Sequence, residues 1–229
     1  MVDTPSPPDQ MSPMPRLTDW RRPLLLLCIG VVLGAGALLA DVADGAIGQV
    51  LYALFSTAVF WGGAAVLAGA GAGSARRAAL AGVAVLLVAT VLYYGLILWL
   101  GLREAAGTAS VVRAALIWAV VSVVFGAVGG FLGWLSRRGD RRTRSYALGM
   151  VCGALASQVV FEIVRGADYI FEENARAVLI SSAVQLAIPL FVLVMQRRRV
   201  RLWLALATTV VVAAVGALAW STVVGMIDG

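Results

Sequence analysis

The residues of this sequence best suited to bind a polar molecule are a few amide and acidic side chains inside apolar segments. Gln158 and Glu162 are four residues apart, so on a helix they share one face. A carboxylate inside a membrane is costly and is a functional candidate by default. Arg165 follows Glu162 by three residues. It could neutralise Glu162 as an ion pair at the membrane interface, which is the competing interpretation.

A second candidate element combines Gln185 with Pro189. Proline lacks the N–H that would donate to the Gln185 carbonyl, so the amide side chain and a freed carbonyl meet at one level of the helix. Broken helices of transporters use this chemistry, whereas a purely structural kink would need only a neighbouring hydroxyl or water. With the hydroxyl groups at similar depth, the candidate solute-binding face comprises Gln158, Glu162, Gln185, Tyr93, Ser181 and Ser182.

Composition indicates a membrane protein. Of 229 residues, 61% are hydrophobic and 13% charged, against about 45–50% and about 25% in soluble domains. The chain has no Lys and no His, which excludes a retinal Schiff base and any His-ligated metal or haem. Cys28 and Cys152 make no disulfide framework. Without a nucleophile–base pair or a ligand set, we predict no enzyme activity, no cofactor and no metal.

Seven apolar segments must position these residues. Each is close to the roughly 20 residues that a helix needs to cross a bilayer. We therefore predict an all-α polytopic membrane bundle of seven transmembrane helices over 23–224, preceded by a proline-rich, disordered cytoplasmic tail over 1–22. The predicted spans are roughly 23–40, 47–69, 78–101, 111–135, 145–164, 175–196 and 201–224.

The arginines set the orientation. Fourteen of the 18 basic residues precede the first span or lie in alternate loops, which predicts a cytoplasmic amino terminus and an external carboxyl terminus in a bacterial plasma membrane. Because arginines cluster between apolar runs, the basic charge does not indicate nucleic-acid binding. The charge pattern of spans one to three recurs in spans five to seven. A parallel duplication would produce this recurrence, but positive-inside threading imposes the same pattern on any such chain and is the favoured interpretation.

Polar residues and glycines fall at opposite depths. The polar side chains concentrate in the outer half, and we expect Gln158 and Gln185 to face one another or to share a solvated cavity. The glycines concentrate in the inner half, where GxxxG spacing lets helix backbones approach closely. We therefore predict a wedge-shaped bundle, whose helices pack tightly in the inner half of the membrane and open to a polar, outward-facing cavity in the outer half. The pairs are Gly30/Gly34, Gly126/Gly130, Gly129/Gly133 and Gly149/Gly153.

The order of these features resembles an uncharacterised actinobacterial family of small multi-pass proteins, known only as a domain of unknown function. The resemblance covers about 23–222 and rests on an Arg-rich inner loop together with Tyr93-Tyr94, Trp118, Gly126, Gly130, Gly149, Gly153 and Glu162. It implies a helical membrane fold and no established activity. A looser architectural likeness is to the substrate-binding subunits of vitamin transporters, which usually have six spans instead of seven.

Two functions remain open, besides a membrane enzyme, which has the least support. The first is a solute-binding or transport protein that takes a small polar solute from outside. The second is a non-catalytic interaction or assembly subunit whose GxxxG faces hold a membrane protein partner. A polar outer pocket would favour the first, and an exposed glycine face would favour the second. In either case the lipid bilayer is the expected environment.

Overall fold

The computed structural model describes residues 21–102, 107–166 and 175–228. The described chain is helical, without strands. The predicted tail over 1–22 lies outside the described residues except for its last two positions, which begin the first helix. In chain order the helices are α1 (Arg21–Val42), α2 (Gly45–Phe55), α3 (Ala58–Ala70), α4 (Ala75–Leu100), α5 (Thr108–Arg138), α6 (Arg141–Gly166), α7 (Ala175–Gln196) and α8 (Leu202–Asp228).

Four helices are long and apolar enough to cross a membrane. They are the whole of α1, α4 and α5, and the part of α8 from Leu202 to Ala219. Shorter apolar stretches occupy Ala58–Ala70 and Gln185–Gln196. The prediction of an all-helical protein with several membrane-compatible helices is therefore confirmed, and the count of seven crossings with its orientation stays a prediction.

The second apolar segment is two helices and not one. α2 ends at Phe55, and Thr57 has an extended backbone (φ −112°, ψ 150°) immediately before α3. The prediction of one continuous helix over 47–69 is wrong at this point. Ser and Thr compete with helical hydrogen bonding and suit helix boundaries, so Ser56-Thr57 is the locally weakest place in an otherwise apolar run.

Glycines on α5 let three helices meet at backbone distance. A Cβ on Gly130 would overlap the Ala78 carbonyl of α4, and a Cβ on Gly69 of α3 would overlap Gly130 itself. On the same helix, a Cβ added to Gly126 would lie 2.8 Å from backbone atoms of Val83. These contacts confirm that the predicted small-residue faces bring backbones together.

The other two glycine pairs join α1 to α4 and α6 to α8. Gly30 and Gly34 of α1 pack on α4, and Gly149 and Gly153 of α6 pack on α8. These four glycines are buried. The glycine faces are thus occupied by contacts within the chain.

Helices α6 and α7 pack as antiparallel neighbours, as expected for consecutive segments. Leu148 and Leu193 share one core cluster, and the Cys152 thiol donates to the Pro189 carbonyl at 3.6 Å. Nearer the outer end proposed from the charge pattern, Ile188 packs on the cluster that contains Leu155. The paired residue numbers rise on α6 as they fall on α7, which fixes the register of the two helices.

Candidate functional site

The break between α2 and α3 is held by side chains that bond the released backbone groups. An α-helix leaves its first N–H groups and last carbonyls without intrahelical partners. At this break the Gln158 Oε1 of α6 accepts from the Ala58 N–H at 2.6 Å. The Trp61 Nε1 donates to the Phe55 carbonyl, also at 2.6 Å. Both ends of the break therefore have a side-chain partner, and one partner comes from a distant helix.

The register of α6 and α7 brings the other candidate residues to the same level. Extending the pairing of Cys152 with Pro189 by about one and a half turns places Gln158 opposite the turn of α7 that holds Ser182 and Gln185. Val59, at the start of α3, lies in the cluster on which Ile188 packs. Gln158 therefore lies at the helix break, and the register of α6 and α7 puts this turn of α7 at the same level.

Two of these side chains are deeply buried on α7. Gln185 is 1% exposed and Ser182 is 4% exposed. Within the described part of the chain, the buried Ser182 hydroxyl has no hydrogen-bond partner. A buried hydroxyl without a partner costs free energy, so it is a group that an incoming polar atom would satisfy.

Glu162 and Ser181 lie on described helices, but their side chains fall outside what the structure describes. By register they are about one turn nearer the outer end than Gln158 and Gln185. Whether Gln158 and Gln185 contact each other, and whether Glu162 faces them, stays a prediction.

Tyr93 lies in a different neighbourhood. Its hydroxyl donates to the Asp41 carboxylate at the end of α1, and its ring meets Tyr94 edge-on at 4.8 Å. It packs against a cluster of α1, α4 and α5 residues that includes Ile97 and Val111. Tyr93 was grouped with the candidate face only because it lies at a similar depth. Its described contacts are with α1, α4 and α5, and not with α6 or α7.

Sequence reasoning missed the bonding at the break and a second buried polar pair. The indole N–H of Trp61 donates to the Phe55 carbonyl at the end of α2, and no sequence pattern marked this tryptophan. Thr90 of α4 and Ser122 of α5 are both buried and share a hydrogen bond of 2.7 Å. The signal available for the break was Ser56-Thr57 at mid-segment, and no sequence pattern paired it with Gln158.

A cavity of about 230 Å³ lies at the arginine-rich end, and none of the predicted solute-binding residues lines it. The outward-facing cavity stays a prediction. Within the described residues, no group of three or more metal-ligating side chains is present.

The chain is similar to the members of one family of unknown function. No curated protein and no solved structure matches the chain. Residues 14–226 match a family of unknown function, DUF6518, which agrees with the predicted resemblance to an uncharacterised domain. Because this match covers most of the chain, the protein belongs to the DUF6518 family.

Proposed function

We propose that this protein binds or transports a small polar solute, which it takes up from the outer side of the plasma membrane of an actinobacterium. The chain would cross seven times, with α2 and α3 together forming the second crossing. The amino terminus would be cytoplasmic and the carboxyl terminus external, as the arginine distribution requires.

The observation that carries this proposal is the break at Ser56-Thr57. Discontinuous membrane helices place half-helix ends, with their partial charges, at the solute sites of many transporters. Here the start of α3 meets the amide of Gln158, and buried Ser182 and Gln185 lie at the same level. Amide and hydroxyl groups can donate and accept, which suits an uncharged, hydrogen-bonding solute.

A repeated helix arrangement supports the same function. α1 and α6 both begin with Arg-Arg. Each uses a GxxxG pair to contact a later helix, which is α4 for α1 and α8 for α6. Gly34 meets Ala89, and Gly153 meets Thr209. The spacing along the chain differs by a single residue between the two contacts. Parallel repeats of this kind occur in transporters, and α5 would be the helix that joins the two halves.

The middle helices of the two halves differ. α3 packs on α4 and α5, whereas α7 packs mainly on α6. One is broken at Ser56-Thr57, and the other carries Pro189. A broken segment in one half and a proline-containing segment at the corresponding place in the other mark the expected position of a solute site.

The alternative, an assembly subunit that holds a partner through GxxxG faces, loses its motivating feature. Contacts with α3, α4 and α8 occupy those faces. A partner would have to bind another surface, for which the glycine pattern gives no argument.

Solute retention tests the proposal. Purified full-length protein is incubated with a defined mixture of sugars, amino acids, nucleosides and vitamins, and retained compounds are identified by mass spectrometry. We expect one class to be retained, and Ser182→Ala and Gln185→Leu to lower its retention at least about tenfold, which corresponds to about 1.4 kcal/mol.

Ser221→Ala is the matched control, because Ser221 is an exposed hydroxyl on α8. It should leave retention unchanged. Gel filtration establishes that each variant is folded. If the protein retains nothing from the mixture, or if folded Ser182→Ala and Gln185→Leu retain as much as the unmodified chain, the solute site is not where we place it.

A further inference from the structure

The cavity at the arginine-rich end is a second site, separate from the helix break. It lies between the end of α5, the start of α6 and the end of α7, with a volume of about 230 Å³. That is several times the roughly 30 Å³ that one water occupies in the liquid. Its lining residues are Ser136, Arg137, Arg144, Leu148, Gln196 and Arg199.

The lining carries positive charge without a counterion. Three of the six residues are arginines and none is acidic. Asp140 is the acidic residue nearest in sequence, and its carboxylate accepts from the Thr143 backbone N–H at 3.0 Å. Hydrogen bonds from the Thr143 side chain and backbone lower the pKa of Asp140, so this carboxylate stays ionised as a cap for α6. It is not one of the lining residues.

Arg144 is positioned before any ligand arrives. Its Nη2 donates to the Arg137 carbonyl at 2.9 Å, which ties the start of α6 to the end of α5. Its Nε is buried and, among the residues that the structure describes, has no hydrogen-bond partner. A buried guanidinium donor without an acceptor is costly, so an anion in the cavity would relieve that cost.

We propose that this cavity binds a phosphate group, supplied by an anionic lipid headgroup or by a free phosphate compound. The planar fork of a guanidinium group can donate two N–H bonds to two oxygens of one phosphate. Charge-assisted bonds of this kind are about twice as strong as neutral ones. The positive-inside rule places this end at the cytoplasmic surface, where basic pockets between helices bind lipid headgroups. The proposal does not depend on the solute site at the helix break.

The test uses the full chain, stripped of lipid in neutral detergent, with two probes. One is inorganic phosphate, followed by calorimetry. The other is phosphatidylglycerol in phosphatidylcholine nanodiscs, followed by the lipid retained in native mass spectrometry. Arg199→Gln and Arg137→Gln should each weaken binding at least tenfold. Arg198→Gln removes the same charge next to the cavity without lining it, and should weaken binding less than twofold.

The results of the two binding experiments identify the source of the phosphate or rule out the site. Binding of phosphatidylglycerol without inorganic phosphate identifies a lipid headgroup as the source, and binding of inorganic phosphate identifies a soluble phosphate compound. Either supports the site. Absence of both, or an equal loss in Arg198→Gln and Arg199→Gln, would overturn it, because the arginines would then act only as general surface charge. Arg199→Lys, which keeps the charge but loses the planar fork, should restore binding in part.

Discussion

Gly130→Leu should prevent the protein from folding. The new side chain would begin inside the space filled by the Ala78 carbonyl and close to the Cα of Ala79, which are backbone atoms of α4 and cannot rotate away. Overpacking commonly costs about 1–3 kcal/mol. Because the overlap is with the main chain of α4, which no side-chain rotation can relieve, we expect a loss beyond that range, which is a large part of the roughly 5–15 kcal/mol that stabilises a typical protein. The measurement is monodisperse yield by fluorescence-detected gel filtration.

Gly95→Leu is the matched control for that prediction. Gly95 is an exposed glycine of α4, and a Cβ built on it meets nothing within 4 Å. Leucine at this position should fold as well as the unmodified chain. Equal yields for Gly130→Leu and Gly95→Leu would show that the close approach of α4 and α5 does not exist.

Gln158→Leu should lower stability by about 1–3 kcal/mol, because the Ala58 N–H would lose its acceptor. Few groups inside a membrane can replace that acceptor. We expect a lower melting temperature in detergent than for the unmodified protein. Gln158→Glu keeps an oxygen facing the start of a helix, where negative charge is favoured, and should lose less stability than Gln158→Leu.

Two outcomes would contradict the role given to Gln158. In the first, Gln158→Leu melts at the temperature of the unmodified protein, so the helix break needs no partner from α6. In the second, Gln158→Glu and Gln158→Leu lose equal stability, so loss of packing and not of the hydrogen bond explains the effect.

The helical architecture could be predicted from the sequence because it depends on local composition. Long apolar runs and arginine clusters identify helices and their ends, and the observed ends of α4 and α5 lie close to the predicted ones. GxxxG spacing likewise identified which faces would be tightly packed. The partner of each face, such as α8 for Gly149 and Gly153, could not be read from the sequence, because it depends on the arrangement of helices in the bundle.

The helix break and the grouping of the polar residues could not be predicted from the sequence and were found only in the structure. The segment over 47–69 is apolar enough to be one helix, and its interruption involves Gln158, a residue 100 positions from Ala58. Depth along a helix follows from counting residues, but the direction in which a side chain points around the bundle does not. That is why counting residues puts Gln158 and the Gln185 turn at one level, and why it also grouped Tyr93 with them although its described contacts lie elsewhere.

Thiol labelling of intact cells tests whether the polar site at the helix break opens to the outside. In a background with Cys28→Ser and Cys152→Ser, single cysteines are placed at Ser182, at the exposed positions Ala109 and Asp140, and at Leu218 of α8, which is 72% exposed and predicted to face lipid. A membrane-impermeant thiol reagent is then added outside.

We predict rapid labelling of Ala109→Cys, slower but measurable labelling of Ser182→Cys, and labelling of Asp140→Cys only after the membrane is permeabilised. Labelling of Ser182→Cys no faster than that of Leu218→Cys would contradict an outward-opening site. Labelling of Asp140→Cys from outside in intact cells would contradict the orientation on which that site depends.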